Sequence, residues 1–212
     1  MTPETPKPWK LSEMDLFGAD TESNLLPHGG IVNYAGFIFS AEESARILEE
    51  LLTEVPWRND EVVMFGKYIV TARKVAWVAD EGVAYAYSGK SRAPVAWTEG
   101  LRRLKAVAEK CTGSVYNSCL LNLYHDGSEG MGWHCDDERS IVPQSSIACL
   151  SFGAVRKFSF KHKRTKETVS LELENGSLLD MRDGTQENWH HQLPKTKKVS
   201  EPRISLTFRR MG

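Results

Sequence analysis

The chain has 212 residues, 41% of them hydrophobic and 26% charged, with a formal net charge of −1; that length and balance suit one folded domain with a substantial core. No run of about 18 apolar residues is present to cross a bilayer, and the N-terminus lacks the charged-then-apolar pattern of a secretory signal. Charge is unevenly placed: residues 1–61 hold 12 Asp/Glu against 4 Lys/Arg, and residues 62–212 hold 16 against 23, which suits a polyanionic partner for the second part.

Residues 1–30 lack periodicity and contain Pro3, Pro6, Pro8, Pro27, Gly29 and Gly30, so they read as a flexible lead. Ile31 to Phe39 is apolar and aromatic, a strand. Ser40-Ala41-Glu42-Glu43 is a capping box, with Ser at the cap and Glu three residues on. It opens a helix whose apolar stripe is Leu48, Leu51, Leu52 and Val55 and which ends before Pro56. Residues 57–97 carry Trp57, Phe65, Tyr68, Trp77, Tyr85, Tyr87 and Trp97 among glycines, a strand and hairpin region with the tryptophans in the core. A second helix sets Leu101, Leu104, Ala108 and Cys111 on one face and stops at Gly113. Its Arg102, Arg103 and Lys105 belong to the solvated side.

From Val115 onward the strands are short and regular, as in a jelly roll. Ser118, Leu120, Asn122 and Tyr124 share one strand face. In Trp133-His134-Cys135-Asp136-Asp137-Glu138, a His-x-Asp on extended backbone puts both side chains on one side. Residues 156–166 read as a strand feeding a basic turn with Lys161, Lys163, Arg164 and Lys166, suited to phosphates. Val169, Leu171 and Leu173 alternate into Asn175-Gly176, a two-residue hairpin signal. Trp189-His190-His191-Gln192-Leu193-Pro194 adds distant histidines. In Arg203 to Arg209 the alternation is unbroken: Arg203, Ser205, Thr207 and Arg209 form a wet cationic face, and Ile204, Leu206 and Phe208 a core face.

Two imidazoles and one carboxylate on one side of a metal leave three positions open, the ligand set of non-haem Fe(II) oxygenases. His134, Asp136 and His191 are the candidates. Guanidinium forks bind carboxylates bidentately, so Arg203, with Arg209 nearby, suits a dicarboxylate that chelates the metal at its other end. That is the layout of 2-oxoglutarate-dependent oxygenases. Cys111, Cys119, Cys135 and Cys149 form no Cys-x-x-Cys pair and read as free thiols in a reducing compartment. His28, His125 and His162 read as surface histidines.

Asn122-x-Tyr124, the run His134 to Glu138, Ser151-Phe-Gly-Ala154, Gly176-Ser-Leu-Leu179, His191-x-Leu-Pro194 and Pro202-Arg-x-x-Leu-Thr-Phe-Arg209 follow one another in order. In this the chain resembles the AlkB family of Fe(II)- and 2-oxoglutarate-dependent nucleic-acid dealkylases, over residues 60–210, and looks most like its DNA-repair branch. The resemblance implies a mainly β fold with flanking helices, a double-stranded β-helix or jelly roll. It implies one catalytic domain over 31–212, with helices and a nucleotide-recognition region in 31–115 and the jelly-roll core in 116–212. It selects His191 over His190 as the third ligand and assigns 2-oxoglutarate to Asn122, Tyr124, Arg203, Ser205 and Arg209. Relatives usually carry Asn where this chain has Ser205, so one co-substrate hydrogen bond differs.

For the substrate, the resemblance implies base stacking by Tyr87, with Tyr85 beside it, and a duplex wedge at Met64-Phe65. Glu138 would read the exocyclic group of a base or serve as an outer structural support. The implied reaction is oxidative dealkylation of bases in DNA or RNA, direct-reversal repair that consumes O2 and releases succinate, CO2 and formaldehyde. The expected protein is a monomer without membrane attachment, in a bacterial cytoplasm or a eukaryotic nucleus. Three rival readings stand beside it: the same oxygenase chemistry on a protein or small molecule, a zinc hydrolase on the same His-x-Asp and His set, and a catalytically silent nucleic-acid-binding module.

Overall fold

Alternating strands build two facing antiparallel sheets in the computed structural model, which describes residues 23–64, 67–83, 85–87, 90–92 and 94–212, with side chains described outside 62–69 and 84–93. In chain order the elements are β1 (Ile31–Phe37), α1 (Ala41–Glu54), β2 (Arg58–Met64), β3 (Lys67–Ala79), β4 (Tyr85–Tyr87), β5 (Lys90–Arg92), α2 (Glu99–Thr112), β6 (Ser118–Tyr124) and β7 (Met131–His134). They continue with β8 (Ile147–Gly153), β9 (Arg156–His162), β10 (Thr168–Leu173), β11 (Ser177–Arg182), α3 (Thr185–Asn188), β12 (Trp189–Leu193) and β13 (Arg203–Arg209). The large sheet runs β1-β11-β8-β13-β6-β3-β2, the small one β10-β9-β12-β7, and β4 pairs with β5. This is the expected jelly roll.

The core has two compartments because the central large-sheet strands β6, β8, β11 and β13 bury both faces. On one face Leu121, Leu123, Leu150, Phe152, Ile204, Leu206 and Phe208 meet Ile47 and Leu51 of α1 and Leu101, Leu104 and Ala108 of α2. On the other, Tyr124, Ile147, Cys149 and Met181 meet Phe158, Phe160, Trp189 and Leu193 of the small sheet. Strand periodicity of two assigns odd and even residues to different compartments. A cleft between the sheets therefore opens on the second face only.

The two long helices, α1 and α2, start as their caps dictate. Ser40 Oγ accepts the Glu43 N–H while the Glu43 carboxylate accepts the Ser40 N–H, and Thr98 caps α2. Gly113 takes a left-handed φ of 67° and closes the end of α2. The stripes shift from the expected ones. In α1 the buried positions are Ser44, Ile47 and Leu51, with Val55 at the cap, while Leu52 stands exposed. In α2, Thr112 is buried in place of the exposed Cys111. The Tyr116 hydroxyl donates to Thr112 Oγ1 at 2.9 Å and draws that edge of the helix inward.

Three further expectations are corrected. Asn175-Gly176 turns the chain, but β10 and β11 lie in different sheets, so the turn is a crossing between sheets and not a hairpin. Gly176 has φ +78°, and a Cβ there would meet Ser44 Oγ at 2.2 Å and the Phe39 carbonyl at 3.2 Å; the glycine serves the close approach of α1 as well as the turn. His162 is not on the surface: it is 5% exposed, edge-on to Trp189. The cationic face of β13 is not wet, because the small sheet covers it.

Candidate active site

The open cavity between the sheets, about 170 Å³, is lined from both walls. The large sheet contributes Leu120, Asn122 and Tyr124 of β6 and Arg203, Ser205, Thr207 and Arg209 of β13. These are the residues that alternation places on one face of each strand. The two strands pair with Arg203 opposite Tyr124 and Ser205 opposite Asn122. The expected co-substrate residues thus form one continuous buried patch, 2% exposed at Arg203 and 7% at Asn122.

The small sheet contributes the histidines. In β12 the burial alternates, so Trp189, His191 and Leu193 face in while His190 and Gln192 are half-buried on the other side. His191 pairs directly with His134 across β7, and their rings meet edge to face at 4.2 Å. That settles which of the two adjacent histidines faces the cavity. β7 ends at His134, so Asp136 lies just beyond the strand and not on it. Its direction comes from Gln186 of α3, whose Oε1 accepts the Asp136 N–H at 2.9 Å. Ligand atoms of His134, Asp136 and His191 all lie within 4.8 Å of one another, the metal-holding cluster found among the described residues.

Each member is prepared for a cation. The His134 Nδ1–H donates to the Gly132 carbonyl at 2.8 Å, which leaves the Nε2 lone pair toward Asp136, 3.9 Å away. Burial, then the neighbouring His134 ring, pushes the His191 pKa down to about 3, so its imidazole is neutral and able to ligate. Burial alone would raise the Asp136 carboxyl, but Arg209, then His191 and His134, hold it below the usual range. Arg209 Nη2 sits 2.8 Å from Asp136 Oδ1, and Nη1 is 3.4 Å from Glu138 Oε1. Arg209 therefore engages the chain's own carboxylates, in place of the co-substrate contact expected from the sequence. Two imidazoles and one carboxylate fit Fe(II).

Arg203 is different. Its Nη2 donates to Ser151 Oγ at 2.8 Å, while Nε and Nη1 are buried with no hydrogen-bond partner among the described residues. A fully buried guanidinium with two free donors fits a carboxylate of a bound dicarboxylate.

Several lining residues gave no sequence signal. Arg73 and Asp60 form a buried ion pair, and Arg73 Nη1 also lies 2.9 Å from Met131 Sδ and its guanidinium 5.9 Å from the Tyr124 ring. This pins the β2–β3 hairpin to the cavity rim. A basic residue in a strand would have been the only hint. Behind the lining, Gln186 could not have been singled out, since its role depends on Asp136, 50 residues away; Ser151 stands in the Ser151-Phe-Gly-Ala154 motif, but its contact with Arg203, 52 residues away, has no local signal.

The basic turn lies at the small sheet's edge. Lys161 Nζ rests 4.2 Å from the Trp133 ring centre. Lys163 donates to the Gln186 carbonyl and Lys166 to the Lys163 carbonyl, while Arg164 is exposed. The turn is thus tied by α3 to the segment that orients Asp136. Glu138 lines the cavity, with its Oε1 3.4 Å from Arg209 Nη1. Phe65 and the side chains of Met64, Tyr85 and Tyr87 lie outside the described residues.

Comparison with known proteins finds one family model, the 2OG-Fe(II) oxygenase superfamily, matching residues 30–209. The chain is 40% identical over 185 residues to the DNA oxidative demethylase ALKBH2 of Mus musculus, covering 82% of this chain and 77% of that protein. It is 36% identical over 200 residues to the alpha-ketoglutarate-dependent dioxygenase alkB homolog 3 of Homo sapiens, covering 89% and 69%. Among solved structures, OsALKBH1 superposes with a TM-score of 0.58 at 13% identity, over 87% of this chain and 98% of the other, which bears on the fold. Among the described residues no helix is long and apolar enough to cross a membrane.

Proposed function

The chain belongs to the 2OG-Fe(II) oxygenase superfamily and, within it, to the AlkB family, and from that premise we propose that it oxidatively dealkylates nucleic-acid bases, with His134, Asp136 and His191 as its iron ligands. When bound, Fe(II) with 2-oxoglutarate and O2 would supply the oxidation that hydroxylates an N-methyl carbon, which then leaves as formaldehyde while the co-substrate becomes succinate and CO2. The observation that carries the reading is the joining of two prepared sites in one cleft: the His-Asp-His cluster on one wall and the buried, under-partnered Arg203 on the other.

The chain's residues then have distinct tasks. Arg209 and Gln186 hold the Asp136 carboxylate and its backbone in place, so the ligand set is organised before metal arrives. Arg203, with Ser151 fixing its fork, binds the far carboxylate of 2-oxoglutarate, and Asn122, Tyr124 and Ser205 line its path. Phe158 lies nearly parallel to the His191 ring, 5.5 Å away, and limits water on that side. Lys161, Lys163 and Arg164 offer phosphate contacts beside the cleft. A base reaches the ligand cluster only by leaving its stack, and an aromatic face can return that cost; Tyr87 is the residue assigned to this, and Met64-Phe65 to the wedge.

The test is formaldehyde release from methylated single- and double-stranded DNA and RNA oligomers. Release that depends on Fe(II) and 2-oxoglutarate supports the reading. Unimpaired 2-oxoglutarate turnover with no formaldehyde from any oligomer would move the substrate to proteins or small molecules.

A further inference from the structure

β7 is an edge strand of the small sheet, and a bulge interrupts its pairing with β12 between His134–His191 and Met131–Leu193. Gly132 and Trp133 fall there opposite Gln192 alone. One extra residue re-aims the side chains around it. The bulge lets Met131 and His134 both line the cavity although they are three residues apart, and it turns Trp133 outward.

Trp133 is 36% exposed, whereas Trp77, Trp97 and Trp189 are buried at 8% exposure or less. An indole left in water forgoes the burial those three gain. It is not left bare, because Lys161 reaches over from β9, across β12, to stand 4.2 Å from the ring centre. Lys161 and His190 are register partners on the same outer face. The basic turn with Lys163, Arg164 and Lys166 follows directly. An exposed aromatic ring among cations, one residue from a ligand of the cluster, has the composition that binds a nucleic-acid strand: a face for a base and charge for its phosphates.

We propose that Trp133 and Lys161 form a stacking platform for an unpaired base neighbouring the one that enters the cleft, with Lys161 taking the adjoining phosphate. The inference rests on the dealkylase reading above. The platform is tolerant of sequence, since every base has a π-face, and it favours single-stranded or locally opened substrates, whose bases are free to stack on it.

The test uses the intact protein with Mn(II) in place of Fe(II), 2-oxoglutarate bound, and a methylated single-stranded DNA oligomer followed by anisotropy and indole emission. The wild-type protein binds with a quench of emission. Trp133→Leu weakens binding roughly 5- to 150-fold, the range of one stacked base. Trp133→Phe keeps most of the affinity and loses most of the quench. Lys161→Gln lowers the salt slope of log K by about 0.7, one single-strand phosphate contact. Far-UV circular dichroism verifies the fold of each variant. Wild-type affinity in a folded Trp133→Leu overturns the platform, as does an undiminished quench in Trp133→Phe. A wild-type protein that binds no methylated oligomer overturns the dealkylase reading, and the platform falls with it.

Discussion

Two cationic regions lie on opposite walls of this molecule and are built by opposite physics. On β13, Arg203 and Arg209 are 2% and 4% exposed, and each is met by a particular partner, Ser151 for one and Asp136 and Glu138 for the other. At the end of β9, Arg164 and Lys166 stand in solvent, and the fixed contacts of Lys163 and Lys166 are to backbone carbonyls. Buried charge acts through short distances in a medium that screens poorly. It selects one small ligand and tolerates little substitution. Surface charge is screened within about 10 Å at 0.1 M salt, so it gathers a polyanion without reading it. The proposed cleft for a dicarboxylate and the proposed surface for a nucleic-acid strand call for these two kinds of cation, one on each sheet.

The comparison is tested most severely at the cluster itself. His191→Ala should abolish turnover and also the metal-induced rise in Tm. At a metal concentration 100-fold above Kd, that rise is about 5–10 °C for a chain of this size. His190→Ala should retain both. The reverse pattern would place the wrong histidine in the cavity.

Next in size is Arg209→Leu, which leaves the Asp136 carboxylate buried and without its 2.8 Å partner. Breaking such a pair costs about 3–5 kcal/mol. Denaturant unfolding of the metal-free protein should register that loss, whereas Arg164→Leu at the exposed turn should change stability by less than about 0.5 kcal/mol. Equal losses would dissolve the distinction between the two regions.

Arg203→Lys keeps the charge and loses the fork. The KM for 2-oxoglutarate should rise about tenfold or more, the scale of one charge-assisted hydrogen bond, with little dependence on salt. An unchanged KM removes Arg203 from the co-substrate site.

The smallest effects belong to the surface. Each of Lys161, Lys163, Arg164 and Lys166 replaced by Ala should lower the salt slope of log K by roughly 0.7–0.9 and leave the KM for 2-oxoglutarate unchanged. A quadruple variant with the wild-type slope would make the turn a bystander.

The local features were legible in the residues alone. Ser40 and Glu43 cap α1 because their partners are three residues away. Gly113 ends α2 because only a residue at ease with positive φ fits there. The alternation of β13 assigns Arg203, Ser205, Thr207 and Arg209 to one side and Ile204, Leu206 and Phe208 to the other. All of these are decided by contiguous residues through helix and strand periodicity.

Tertiary structure decided what lies opposite those faces. The Asn175-Gly176 turn has the same chemistry whether its strands pair or part, and they part, because β10 continues the small sheet and β11 the large one. The face of β13 is cationic by sequence, but whether it is wet or dry depends on the small sheet closing over it. His162 is buried by Trp189, Arg209 is engaged by Asp136, and Asp136 is aimed by Gln186. The last two pairings join residues 73 and 50 positions apart. No local period carries such information, because contact over that separation is set by how the chain crosses between sheets.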